Sequence, residues 1–346
     1  MSKVNPIILL QMLMHYHNYR VTPGAPRSFA FTKNNRLRVH KETEDEARRR
    51  KSFVPKTVRE TAEKELRGLL EDSLLGRLGR VWIEDPEQLK RLAVPLNADT
   101  GDGGYGTLTT GSRIPIPNGK VVRAFTYWEK VHDIDLSCFA MSTDGETHEF
   151  SWRNMWRQQS GAVVYSGDET SGYKGGSEYF DIDISAFKYE YEGFRYLVFC
   201  DNIYSTNVTF KTCVARAGFM LRDEVSSGEI YEPKTVQTSY ILNADSTFSY
   251  LFAIDLETME MVWLNMARKG RHAVAGNTDL TFILDKLNVT EVFNVYDLLK
   301  ASAVQLVDRP QDANLIVSDD RLRFPGGDNV IRSWDTNRFV ELIQTK

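Results

Sequence analysis

Apolar residues along this chain recur with two different periods, and the change from one to the other divides the sequence. Residues 5–19 carry apolar side chains on a broad helical stripe. Polar sequence with Pro23, Gly24 and Pro26 follows to about residue 35 and reads as a loop. Over 41–51, Glu42, Glu44, Asp45 and Glu46 precede Arg48, Arg49, Arg50 and Lys51, an order that supports a solvated helix. Leu66, Leu69, Leu70, Leu74 and Leu75 repeat at steps of three and four. They predict a helix over 57–78, with Thr57 and Glu60 as its capping box.

After Gly79 the period shortens. β-Prone runs bounded by turn residues follow at 80–83, 92–96, 113–116, 120–128, 133–141, 147–152, 162–165 and 179–184. The series continues at 195–204, 213–221, 240–242, 248–254 and 261–264. Many short strands without crossover helices predict a two-sheet antiparallel β-sandwich. Helical spacing returns at 280–287, with Asn277 as its cap, and at 290–306, which Pro310 ends. Leu315-Ile316-Val317 reads as one more strand, and the tail from Arg321 is polar. The expected architecture is mainly β: a helical N-terminal extension (1–79), a sandwich (80–267) and an α+β C-terminal extension (268–346).

Composition changes this picture little. A net charge of −4 gives no global attraction to nucleic acid or anionic membrane. Three scattered cysteines, Cys138, Cys200 and Cys213, argue against a disulfide scaffold and for buried, unreactive thiols in a reducing compartment. No run approaches the ~20 apolar residues of a spanning helix. The first apolar stretch lacks a basic leader, so the expectation is a cytoplasmic protein.

Candidate chemistry concentrates between His132 and Ser185, where Asp133-Ile134-Asp135-Leu136-Ser137 returns as Asp181-Ile182-Asp183-Ile184-Ser185. Strand alternation turns Ile134, Leu136 and Cys138 to a core, and likewise Phe180, Ile182 and Ile184. The four aspartates face the other way, onto a surface that is either plain solvated sheet or the wall of a site. Like charges on one strand face repel unless solvent or a cation separates them. Between the copies lies a glycine- and acid-rich loop, 166–178, in which Gly167, Gly172, Gly175 and Gly176 would let carbonyls turn inward. An all-oxygen donor set of this kind suits calcium rather than zinc. Other signals are weaker. Gly101-Asp102-Gly103-Gly104-Tyr105-Gly106 has the letters of a dinucleotide fingerprint without the following helix. Arg268-Lys269-Gly270-Arg271-His272 reads as a solvated basic turn, and His132 beside Asp133 is the sole candidate base for a metal-dependent hydrolase.

Two of these stretches, with their neighbours, resemble a known family. Val121-Val122-Arg123-Ala124-Phe125-Thr126-Tyr127-Trp128, followed by Asp133-Ile134-Asp135-Leu136-Ser137-Cys138-Phe139, is similar to the signature of the tellurium-resistance TerD family. Tyr165 to Gly172 resembles that family's acidic loop. Glu178, Ile182-Asp183-Ile184 and Ala217 to Asp223 follow in the family's order. The resemblance implies a TerD-like calcium-binding sandwich in a bacterial cytoplasmic stress-response protein, active against tellurite or phage through protein partners and without catalytic activity. Carried over by position, the implied ligands are Asp133, Asp135, Asp168 and Glu178, with Asp183 as a further candidate. Lys174, Gly175, Gly176 and Ser177 stand where the family is more acidic, so one of two expected ions is weakened or lost. Larger relatives of this kind carry a RING-like zinc module, for which this chain has no cysteine–histidine array. The alternative is a metal-free scaffold whose acidic face docks basic partners.

Overall fold

A computed structural model of the chain describes residues 4–19, 26–31, 36–41, 43–94, 111–143, 145–155, 161–268, 283–284, 287, 293–333 and 335–343. The dinucleotide-like glycine run, the basic turn after Arg268 and five of the eight residues of the 280–287 helix lie outside them.

The N-terminal part is helical, as its periodicity predicts. Helix α1 (Pro6–His17) is capped by Asn5, whose side chain accepts the Ile7 amide. Between α1 and the next helix, strands β1 (Pro26–Phe31) and β2 (Arg36–Lys41) form a hairpin where the sequence reads as loop. Helix α2 (Glu44–Phe53) holds the capping box, made by Thr43 and Glu46. Helix α3 (Lys56–Leu74) starts one residue before Thr57, after Pro55, and has no side-chain cap. Thr57 is thereby inside the first turn and cannot serve as one. Leu66, Leu70 and Leu74 are the buried stripe of α3 and share a core with Leu9, Leu10 and Leu13 of α1.

Two antiparallel sheets hold eleven of the seventeen described strands. The first runs in the order β4 (Arg113–Pro115), β14 (Glu260–Arg268), β13 (Phe248–Asp255), β10 (Phe194–Ile203), β6 (Ile134–Ser142), β7 (Thr147–Phe150). The second runs β12 (Val236–Ile241), β11 (Val214–Arg222), β5 (Val121–Glu129), β9 (Gly176–Asp183), β8 (Val163–Tyr165). They pack face to face: Leu136, Cys138, Leu197 and Phe199 of one sheet share a core with Val122, Ala124, Phe180 and Ile182 of the other. Phe180 and Phe199 meet across it at 6.5 Å. The alternation read from the sequence therefore holds for the inward residues of both copies.

It fails for the outward aspartates of the second copy. Asp181 is fully buried on the outer face of its sheet, where the segment 223–232 covers it. Arg123 on the neighbouring strand β5 grips it in a fork, Nε to Oδ1 at 2.6 Å and a terminal nitrogen to Oδ2 at 2.7 Å. The same guanidinium donates to the carbonyls of Ser227 and Glu229 and stacks over Tyr179. An ion pair thus clamps the covering segment onto the sheet. Asp183 ends β9 and starts a helix rather than continuing a strand: its carboxylate accepts the Ser185 and Ala186 amides as the N-cap of α5 (Ile184–Glu190).

Strand β3 (Leu78–Ile83), expected in the sandwich, belongs to a separate four-stranded sheet. Its order is β15 (Ala303–Leu306), β3, β16 (Leu315–Val317), β17 (Val330–Ile331), all described pairs being parallel. β3 is followed at once by α4 (Pro86–Lys90), so it is flanked by helices on both sides, as parallel strands are. The 290–306 helix is shorter than its pattern: α6 (Val295–Ser302), capped by Asn294 and Asp297, gives way to β15 at Ala303. Of the run expected as a strand at 92–96, the described residues 92–94 form a bridge, between Ala93 and Asn294, and no named strand. The polar tail carries β17 and a helix, α7 (Thr336–Ile343), with Phe339 buried. None of the described helices is long and apolar enough to cross a membrane.

Candidate metal centre

At one end of the paired sheets, three carboxylates from two distant parts of the chain converge. Asp133 stands just before β6, Asp135 is its second residue, and Asp168 comes from the loop between β8 and β9. Each offers an oxygen within 4.8 Å of the others. Asp133 and Asp135 are each only 8% exposed, whereas Asp168 faces solvent. Among the described residues no lysine or arginine pairs with any of the three. Asp135 accepts a hydrogen bond from Asn202 at 3.3 Å, and Oδ1 of Asp133 is buried with no partner. A buried, unpaired carboxylate oxygen is costly.

The electrostatics follow from this geometry. Burial, reinforced by Asp135, Asp168 and Glu169, pushes the Asp133 carboxyl up to about 7. Burial likewise raises Asp135, opposed by the Asn202 hydrogen bond and assisted by Asp168. A raised carboxyl favours the protonated folded state. Without a cation, the contribution of Asp133 to stability is therefore fully present below the ordinary aspartate range and is lost as pH rises through about 7. Melting temperatures in chelator should fall between pH 5 and pH 8. Asp133→Asn should remove about 1–3 kcal/mol of that fall; an unchanged slope in the variant would mean that Asp133 is already charged and solvated.

Glu178 is close by but is not a fourth member of the triad. It is fully buried, and its two oxygens accept separate backbone amides, Leu136 at 2.8 Å and Glu169 at 3.1 Å. These amides immediately follow Asp135 and Asp168, so Glu178 ties together the two segments that carry the three aspartates. Burial raises its carboxyl well above the usual range, against the pull of the two amides. Asp183, the N-cap of α5, takes no part.

The loop is seated by packing against Trp128. A Cβ on Gly172 or Gly176 would lie 2.4–2.5 Å from the Trp128 indole, so only glycine lets the loop lie flat on that ring. The Gly172 amide donates to the carbonyl of His132 at 2.8 Å. The His132 ring lies against Tyr173, 5.2 Å between centroids, so the hydrolase reading gains no base aimed at the carboxylates.

Two residues of the site are absent from the motif. Asp201, fully buried, accepts from the Thr126 hydroxyl at 2.9 Å, and its carboxyl is raised by burial, with the Thr126 bond opposing and Asp135 assisting. Asn202, beside it, is the partner of Asp135. The visible signal is Cys200-Asp201-Asn202 closing an otherwise apolar strand, where a carboxylate has no surface to reach. The cysteines behave as expected: burial raises the Cys138 and Cys200 thiols well above their usual value and Cys213 to about 11.

Compared with known proteins, the chain matches no family model, no curated protein and no solved structure. The functional reading therefore stands on the site itself and on the motifs quoted above.

Proposed function

We propose that this is a TerD-type sandwich protein that binds calcium between Asp133, Asp135 and Asp168 and acts as a cytoplasmic stress-response interaction module. The observation that carries the metal reading is the unpartnered Oδ1 of Asp133 inside three convergent carboxylates. A divalent cation supplies the missing partner and cancels the mutual repulsion that raises Asp133 and Asp135. Three oxygen donors, with no histidine or thiol in the triad, favour calcium over zinc. The reading keeps three of the residues implied by the family resemblance as ligands, assigns Glu178 to holding their segments in place and releases Asp183. The ion would fasten the 166–178 loop to the start of β6, giving partners a rigid surface.

Calorimetric titration of chelator-treated protein with calcium tests it. Binding should be saturable and should raise the melting temperature. At a hundredfold excess over Kd the gain is about 2.7 kcal/mol. Asp133→Asn with Asp168→Asn should abolish both effects. Absence of heat and of any thermal shift at millimolar calcium would remove the metal reading.

A further inference from the structure

We infer that the cation-loaded end of the sandwich docks on an anionic phospholipid surface. This rests on the cation reading above and adds what the ion would be for.

Three carboxylates provide fewer oxygens than the six to eight calcium takes, unless every one binds through both atoms. Asp168 is exposed, so the open coordination positions face solvent on that side. Around the same point two large aromatic side chains stand out from the surface, Tyr173 at 51% and Tyr204 at 76% exposure. Both are fixed to the ligand segment by backbone hydrogen bonds. The Tyr204 amide donates to the Asp133 carbonyl at 3.2 Å, and Gly172, next to Tyr173, donates to the His132 carbonyl. The Tyr173 carbonyl in turn accepts the amide of Lys130, which is held at φ 66° and is exposed, as is Lys174. Backbone pairing thus brings two exposed tyrosines and two exposed lysines onto the segments beside Asp133.

Tyrosine has an apolar ring and a polar tip and suits the headgroup layer, and lysine is drawn to anionic lipid. A lipid surface presents many phosphates together, so it can complete the cation's shell and meet both lysines at once. A single acidic side chain of a protein partner fills only the first role. Before the ion binds, Asp133, Asp135, Asp168 and Glu169 repel the same surface, and the net charge of −4 offers no compensating attraction. Docking is therefore conditional on the cation.

Co-sedimentation of the full chain with phosphatidylcholine vesicles, with and without phosphatidylserine, measures this in calcium and in chelator. Pelleting is expected only with phosphatidylserine and calcium together. Tyr173→Ser with Tyr204→Ser, and separately Lys130→Gln with Lys174→Gln, should weaken it by about tenfold while the calorimetric calcium titration stays unchanged. Calcium binding without pelleting, pelleting indifferent to both pairs of substitutions, or saturable binding to a soluble oligoglutamate peptide in place of vesicles would each overturn the lipid assignment and leave the cation site standing. If calorimetry detects no calcium, the cation reading falls, and this inference with it.

Discussion

Replacing Arg123 with methionine is expected to destabilise the folded chain by about 3–5 kcal/mol. Its guanidinium is 1% exposed and holds Asp181, which is fully buried, through two hydrogen bonds. Removing it strands a carboxylate whose only remaining described donor is the Ser226 amide at 2.7 Å. The carbonyl of Ser227 loses its donor as well and that of Glu229 keeps only Arg222, so the covering segment should loosen together with the ion pair. The companion variant Arg123→Met with Asp181→Leu should recover much of the loss, because an apolar pair needs no desolvated charge to be compensated. Denaturant titration reads both: the midpoint should drop in the single variant with an unchanged slope and return most of the way in the double. A single-variant loss below about 1 kcal/mol would place the pair in the solvent-screened class.

Glu178→Ala is the second large effect, expected at about 2–5 kcal/mol, because one buried and one half-buried amide lose their acceptor at once. Stability alone does not identify what Glu178 is for. The informative readout is calcium affinity in Glu178→Gln, which keeps one accepting oxygen and turns an NH₂ group toward the other amide. If Glu178 holds the Asp135 and Asp168 segments in register, the glutamine variant should weaken calcium severalfold while the binding stoichiometry is retained. Loss of binding on the scale of Asp133→Asn with Asp168→Asn would instead make Glu178 a ligand.

Much of this fold is written in local pattern. The alternation of Ile134, Leu136 and Cys138, and of Phe180 and Ile182, assigns the inner faces of both sheets, because a strand has only two sides. What lies outside each sheet is not a local property. Asp181 looks like a solvent residue until Arg123, 58 positions away, and the 223–232 segment are brought over it. Asp183 illustrates a second limit. An Asp before a short apolar stretch serves equally as a strand residue or a helix cap, and only the helix that follows decides. In the candidate site, the acidic triad is legible because its members sit among glycine and alternating apolar residues. Asn202 and Asp201 are not, since their role depends on which strand lies beside β6. The glycines of the loop were legible as special positions, but their partner is the indole of Trp128, which no spacing rule connects to them.

The strand β3 has a consequence for how the chain reaches its final form. Its parallel neighbours β15 and β16 lie beyond more than half of the polypeptide, with the eleven described strands β4 to β14 in between. An intervening stretch that long would make ring closure entropically slow if it were still a coil. Once the two antiparallel sheets have collapsed, their own compactness brings the flanking pieces together, as the Ala93–Asn294 bridge at the junction illustrates. Topology thus makes closure of the outer sheet least costly after the two antiparallel sheets have collapsed.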